Sequence, residues 1–209
     1  MNLRVHQFLP LSRANGPGVR AVLWLQGCSL ACPGCFNPET HRVDHGDVVT
    51  VDELLKRVTA LREVVEGITI SGGEPLQQFA AVTELLRRIR RETSLSVILF
   101  SGYTWDEIML KHDANGPQDS STASRFRRVS RFASAGPEFL NYVDVLIAGR
   151  YQHHRRLAQG LRGSENKTVH LLTSRYTLDD LEQAPAAEVI VGAGGEVSLS
   201  GIDPVRWKV

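Results

Sequence analysis

Runs of β-branched and aliphatic residues alternate along this sequence with helical patterns, and most of the runs stop at a glycine. The runs are "VRAVLWLQ" (19–26), "GITISGGEP" (67–75), "LSVILFSGY" (95–103), "YVDVLIAG" (142–149) and "KTVHLLTS" (167–174). Their composition predicts buried strands. Between the first two, Thr50 and Glu53 have the spacing of a capping box. Val51, Leu54, Leu55, Val58 and Leu61 follow at helical spacing, which predicts a helix over about 51–65. Phe79, Val82, Leu85, Leu86 and Ile89 predict the inner stripe of a second helix, and Thr104 with Glu107 the start of a short third. Further on, "TLDDLEQ" reads as a short helix and "AEVIVGAGGEVSLSG" (187–201) as a hairpin turned at Gly194-Gly195. Such alternation builds parallel strands joined by crossover helices. Five or six strands are too few for a closed eight-stranded barrel. The expected fold is therefore α/β, an open partial (β/α) barrel of about five or six mostly parallel strands with a C-terminal β-hairpin extension.

A chain of 209 residues, 42% hydrophobic and 22% charged, suits one sizeable domain with its own core. The expected organisation is a single domain over 1–209, with a core of about 1–174 and a C-terminal extension of about 175–209. The segment "DANGPQDSSTAS" (113–124) breaks the rhythm with Gly, Pro and Ser and is expected to be a flexible insertion. The net charge of +1 gives no global reason to expect nucleic acid or a membrane surface as partner. "MNLRVHQFLPLSR" has no basic segment followed by a long apolar run, and no stretch of about 18 apolar residues occurs. The expectation is a soluble, cytoplasmic protein.

All three cysteines, Cys28, Cys32 and Cys35, fall on the loop expected to leave the first strand. Three thiols cannot all pair, and their close spacing suits a metal better than a disulfide framework. At the spacing Cys-x3-Cys-x2-Cys they can hold three irons of a [4Fe–4S] cubane and leave the fourth without a protein ligand. An open iron can bind S-adenosylmethionine through its amino and carboxylate groups. An electron from the reduced cluster can then break the sulfonium's bond to the 5′ carbon and give a 5′-deoxyadenosyl radical. The alternative is a structural zinc site with His41 as fourth ligand. A second motif, "SGGEP" (71–75), ends the second strand. Its Gly72 and Gly73 allow a tight turn and close backbone approach to a ligand, and Glu74 adds an acceptor for an ammonium group. Both motifs are expected on the strand edge where parallel α/β folds place their sites.

The two motifs together resemble the radical S-adenosylmethionine enzymes, and more narrowly the sequence is similar to the activating proteins of anaerobic ribonucleotide reductase. The matching segments are "NGPGVR" (15–20), "GC…CPGCFN" (27–37), "SGGEP", "SGY" (101–103), "VDVLIAG" (143–149) and "RGSENK" (162–167), in the family's order. The resemblance implies that Cys28, Cys32 and Cys35 ligate the cluster and that Phe36 lies beside the adenine. It implies that Gly72, Gly73 and Glu74 receive the methionine amino group, and that Ser101, Gly102 and Tyr103 line the nucleoside. It also implies an activase, which abstracts hydrogen from a backbone glycine of a partner glycyl radical enzyme such as anaerobic ribonucleotide reductase. The implied electron donor is a flavodoxin or ferredoxin. Asn15, Gly18 and Arg20 belong to a family motif whose chemical role the sequence does not supply.

Gly34, before the last cysteine, is a residue the reductase activases share, whereas Ala148 stands where they usually carry an acidic one. The chain also continues about 40 residues past "RGSENK". Two other functions stay open: a radical maturase or small-molecule enzyme, and a non-catalytic zinc- or cluster-binding module. The basic runs "RRIRR" (87–91) and "RYQHHRRLAQGLR" (150–162), with Arg125, Arg127, Arg128 and Arg131 between them, are expected to be solvated faces; the second could dock an acidic partner or a phosphate. His153 and His154 are adjacent and suggest no metal spacing. No P-loop, Ser/His/Asp set or RNA-binding signature is present.

Overall fold

The computed structural model of the chain describes residues 1–114, 136–192 and 194–202. The expected insertion at 113–124 thus lies outside the described residues from 115 onward, as do the four arginines at 125–131 and the tail from 203.

A seven-stranded sheet organises the molecule. Its strands are β1 (Asn2–Ser12), β2 (Arg20–Leu25), β3 (Asp47–Thr50), β4 (Gly67–Gly72), β5 (Ser96–Ser101), β6 (Val145–Ala148) and β9 (Thr168–Leu171), in the order β3-β1-β2-β4-β5-β6-β9. Between β6 and β9 the chain makes a small antiparallel pair, β7 (Arg156–Gln159) with β8 (Arg162–Ser164). The expected parallel strands are there at the centre, where β2, β4, β5 and β6 run parallel. The flanks correct the expectation: β1 pairs antiparallel with β2 and β3, and β9 antiparallel with β6. A parallel pair needs a long crossover, usually a helix. Only the short β7–β8 hairpin separates β6 from β9, so the chain returns in the opposite direction. β1 escaped the sequence reading because its apolar residues are interrupted by Arg4, His6, Gln7 and Pro10; the proline falls within a register shift between Leu9 and Ser12.

Helices α1 (Val51–Thr59) and α2 (Phe79–Glu92) cover one face. They bury Val51, Leu54, Leu55 and Val58, and Val82, Leu85, Leu86 and Ile89, against Ile68, Ile70, Val97, Leu99 and Leu146. Two details differ from the pattern. Helix α1 stops at Thr59, whose hydroxyl bonds back to the Leu55 carbonyl at 2.8 Å, and Leu61 packs from the turn beyond. Phe79 is 43% exposed and meets Phe139 edge-on at 5.8 Å. Helix α3 (Trp105–Ala114) starts where expected, with Thr104 and Glu107 capping each other's amides.

The other face of the sheet is covered by the C-terminal part of the chain. Ile98, Val145 and Ile147 point there and pack on Leu161, Tyr176 and Leu181, the last on helix α4 (Leu178–Glu182). The expected hairpin follows as β10 (Ala187–Val191) and β11 (Val197–Gly201), closed by the Gly192 N–H to Glu196 carbonyl bond at 2.8 Å. Among the described residues no helix is long and apolar enough to cross a membrane.

Arg20, the last residue of "NGPGVR", is fully buried on this second face. Its Nε donates to Thr69 Oγ1 at 2.8 Å, Nη1 to Ser96 Oγ at 2.9 Å and the Tyr176 hydroxyl at 3.0 Å, and Nη2 to the Ile68 carbonyl at 2.9 Å. It clamps β2, β4, β5 and the C-terminal segment together. That is the structural role the sequence could not supply.

Candidate active site

Parallel strands β2, β4 and β5 end side by side, and the loops leaving them form the site. After β2 the chain runs through the cysteine loop, tied at its base by Gly27 N–H to the Thr40 carbonyl at 2.8 Å and Cys28 N–H to the His41 carbonyl at 3.1 Å. Cys35 N–H closes a turn onto the Cys32 carbonyl at 3.1 Å. Gly34, in that turn, has φ +68°, so the conformation asks for glycine, and a β-carbon there would press on the His153 side chain at 3.2 Å. Ala31, just before Cys32, sits at φ +46°, a conformation that costs an L-residue about 1–2 kcal/mol.

The "SGGEP" turn after β4 is moulded onto this loop. Gly73 N–H donates to the Leu25 carbonyl at 2.7 Å and Glu74 N–H to the Gly27 carbonyl at 2.9 Å. A β-carbon at Gly72 would lie 2.3 Å from Leu25 N, and one at Gly73 2.3 Å from the Gly27 carbonyl oxygen. The close backbone approach that two glycines permit is therefore to the protein's own β2 end.

Glu74 then joins the second turn to the third. Its Oε1 accepts from Leu76 N–H and Ser101 Oγ, both at 2.9 Å, and its Oε2 from Gly102 N–H at 2.6 Å. The carboxyl group is almost fully buried. Burial pushes its pKa up, and these three donors, with Lys167, pull it down.

One cavity of about 370 Å³ receives all of this, within the usual range for a small-molecule site. Cys28, Cys32, Cys35, Phe36, Gly72, Gly73, Glu74, Ser101 and Gly102 all line it. Tyr103 does not; its hydroxyl accepts from Gln77 Nε2 at 3.2 Å, and its ring lies under the Arg150 guanidinium at 5.9 Å. Asn15 reaches the cavity wall, whereas Arg20 remains buried behind it. Phe36 is held by Tyr151, with ring centroids 4.4 Å apart, and by the Arg156 guanidinium 5.2 Å above its ring.

The half-buried thiols suit a metal rather than nucleophilic chemistry. Burial pushes Cys28 and Cys35 up, and the neighbouring Cys32 adds to both. A nucleophilic cysteine is instead tuned downward. Thiols such as these ionise when a bound cation supplies the compensating charge. Among the described residues no three His, Cys, Asp or Glu side chains are gathered to hold a single ion. His41 gives the loop its backbone carbonyl.

Lys167 was not singled out by sequence, although it ends the quoted "RGSENK". Its Nζ donates to the Gly149 carbonyl at 2.5 Å and it lines the cavity. Burial pulls its pKa down, while Cys32, Glu74 and Cys35 hold it up. The basic runs, by contrast, are largely paired within the chain. Arg87 meets Glu84, Arg88 meets Asp52 and Glu92, Arg90 meets Asp144, and Arg150 meets Glu107 at 2.7 Å.

Comparison with known proteins agrees with this geometry. Residues 14–170 match the family model described as a 4Fe-4S single cluster domain. The anaerobic ribonucleoside-triphosphate reductase-activating protein of Salmonella typhi is 30% identical over 177 residues, covering 81% of this chain and 99% of that one. Its Escherichia coli K12 counterpart is 29% identical over the same coverage. The pyruvate formate-lyase-activating enzyme of Clostridium pasteurianum is 33% identical over 115 residues, 52% of this chain and 48% of its own.

Proposed function

The chain belongs to the 4Fe-4S single cluster domain family and to that of the anaerobic ribonucleoside-triphosphate reductase-activating proteins, and from that premise we propose how its residues carry the activity. The activity is that of a radical S-adenosylmethionine enzyme with a [4Fe–4S] cluster, activating a glycyl radical enzyme by taking hydrogen from a glycine. When bound, the cluster supplies the single electron that cleaves S-adenosylmethionine to a 5′-deoxyadenosyl radical.

In this reading Cys28, Cys32 and Cys35 hold the cluster. Gly72 and Gly73 present backbone, and Glu74 a carboxylate, to the methionine amino group. A carboxylate offers about four acceptor sites, and three of those on Glu74 are taken, so one is left for an ammonium. Phe36, pinned between Tyr151 and Arg156, gives the adenine a flat apolar neighbour. Ser101 and Gly102 line the nucleoside directly, and Tyr103 shapes that turn from behind. The open partial barrel belongs to this proposal too; a cavity walled by both β1 and β5 asks the sheet to curve around it. The partner is a glycyl radical enzyme such as anaerobic ribonucleotide reductase, the electron donor a flavodoxin or ferredoxin, and the setting the cytoplasm.

The observation that carries the reading is the convergence of the three thiols, the "SGGEP" turn and the end of β5 on one cavity. Anaerobic reconstitution tests it. The protein should take up about four irons and four sulfides. Adding S-adenosylmethionine should change the paramagnetic resonance spectrum of the reduced protein, and adding a glycyl radical enzyme should produce a glycine-centred radical there. Stoichiometric zinc with no uptake of iron would overturn it.

A further inference from the structure

The hairpin β10–β11 lies beyond residues 14–170, the part of the chain that matches the family model. It is nevertheless built into the cavity. The Glu188 carboxylate accepts from the Ser12 hydroxyl and from Arg13 N–H at 2.8 Å, and Asn15 Nδ2 donates to Ser200 Oγ at 2.7 Å. These bonds fasten one face of the ribbon to the end of β1 and the loop that follows it. Strand β11 then runs along the cavity, where Ser198, Leu199, Ser200 and Ile202 share its wall with the three thiols.

Among the described residues the ribbon's opposite face is apolar and exposed. Val189 pairs across from Leu199 and Val191 from Val197, so the four side chains stand together on one face. Their exposures are 47%, 37%, 67% and 58%. The ribbon is a sheet of only two strands, so among the described residues each strand has an outer edge with no ladder partner. An edge of that kind accepts an extended polypeptide by strand addition. Leu199 belongs to both the apolar face and the cavity wall, which makes the two surfaces continuous.

We propose that the hairpin is the docking strip for the partner enzyme's glycine-bearing segment. The segment lies extended along the outer edge of β11, sets its side chains against Val197 and Leu199 on the apolar face, and is delivered by the strand into the thiol-lined cavity. The occupant is a polypeptide because β11 offers backbone pairing, and it is the substrate segment because the strand leads into the reaction cavity. This inference rests on the activase reading above.

The test uses the reconstituted full chain and the glycyl radical enzyme encoded in the same genome. Binding is measured by surface plasmon resonance, and coupling as glycyl radical formed per S-adenosylmethionine cleaved. Val191→Lys/Val197→Lys should weaken partner binding about tenfold or more and lower the coupling ratio. Leu178→Lys, at an exposed apolar residue on α4, should leave both unchanged. Circular dichroism melts establish that each variant is folded, and Val197→Thr, on β11 itself, repeats the test with a smaller change. Folded hairpin variants with unaltered affinity and coupling would overturn the docking strip while leaving the activase reading intact. A wild-type chain that binds and activates no glycyl radical enzyme would overturn both.

Discussion

Arg20 shows what a buried charge does when every donor has a place to go. From β2 its guanidinium reaches two further strands, β4 and β5, and Tyr176, whose hydroxyl passes the contact on to Glu66 at 2.5 Å. Lysine has one ammonium in place of this planar fork and cannot reach all four partners. Arg20→Lys should therefore lower stability by about 3 kcal/mol or more, read as a fall in the chemical denaturation midpoint. Glu74 is the comparable anion. Glu74→Gln puts an amide N–H₂ among donors, with a loss of about 1–3 kcal/mol and a melting temperature lower by about 2–4 °C for each. If its free acceptor site also holds the methionine ammonium, S-adenosylmethionine affinity should fall roughly ten- to a hundredfold, by titration calorimetry. Affinity unchanged in a destabilised variant would make Glu74 a strut alone. The cysteines, the glycine pair and Glu74 were legible in sequence because their spacing is local. Lys167 was not, because only the fold brings it back to Cys32 and Glu74. Tyr103 was misplaced for a related reason: it sits next to two cavity residues in sequence, yet its side chain turns to Gln77 and Arg150.

At the scale of elements, helix ends carry much of the local specification. Thr177 and Asp180 form a full capping box on α4, a helix of five residues with little else to start it. Thr177→Ala should cost about 1 kcal/mol and loosen the cover over Ile98 and Ile147, seen as faster amide exchange in α4. Glu107 caps α3 and pairs with Arg150, whose guanidinium holds its pKa down from 4.5 to about 2. A depressed folded value means that this contribution is present above the unfolded pKa and is lost as pH falls through the folded one. Stability should thus decline between about pH 4.5 and about 2, and Glu107→Gln should flatten that limb; the pair is exposed enough to be worth under about 1 kcal/mol. Helices α1 and α2 were readable because burial of one face imposes a strict period, and the four parallel strands because burial on both faces makes continuous apolar runs. The flanking strands were not, since β1 is half-exposed and mixes Arg4, His6 and Gln7 into its run. β7 and β8 lie within a basic segment that looks like loop.

Across the whole molecule, the C-terminal segment is the second cover of the sheet rather than an appendage. Removing residues 175–209 would expose Ile98, Val145 and Ile147 and take Tyr176 from Arg20. The truncated chain should bind a hydrophobic dye and lose its cooperative melt, whereas a well-packed truncated chain would show that helices on one face suffice. The same arrangement has a bearing on how the protein is made. Ser12 waits for Glu188, Asn15 for Ser200 and Arg20 for Tyr176, partners separated by 176, 185 and 156 positions. Such distant closures come late, after nearer contacts have offset part of the entropy of ordering the chain. On a ribosome, the first loop would emerge with its anchors still untranslated, and the reaction chamber could close only after the last strand had left the exit tunnel. Cluster loading would then follow synthesis rather than accompany it. Arrested nascent chains ending before residue 187 should leave the cysteine loop open to protease, and released full-length chains should protect it.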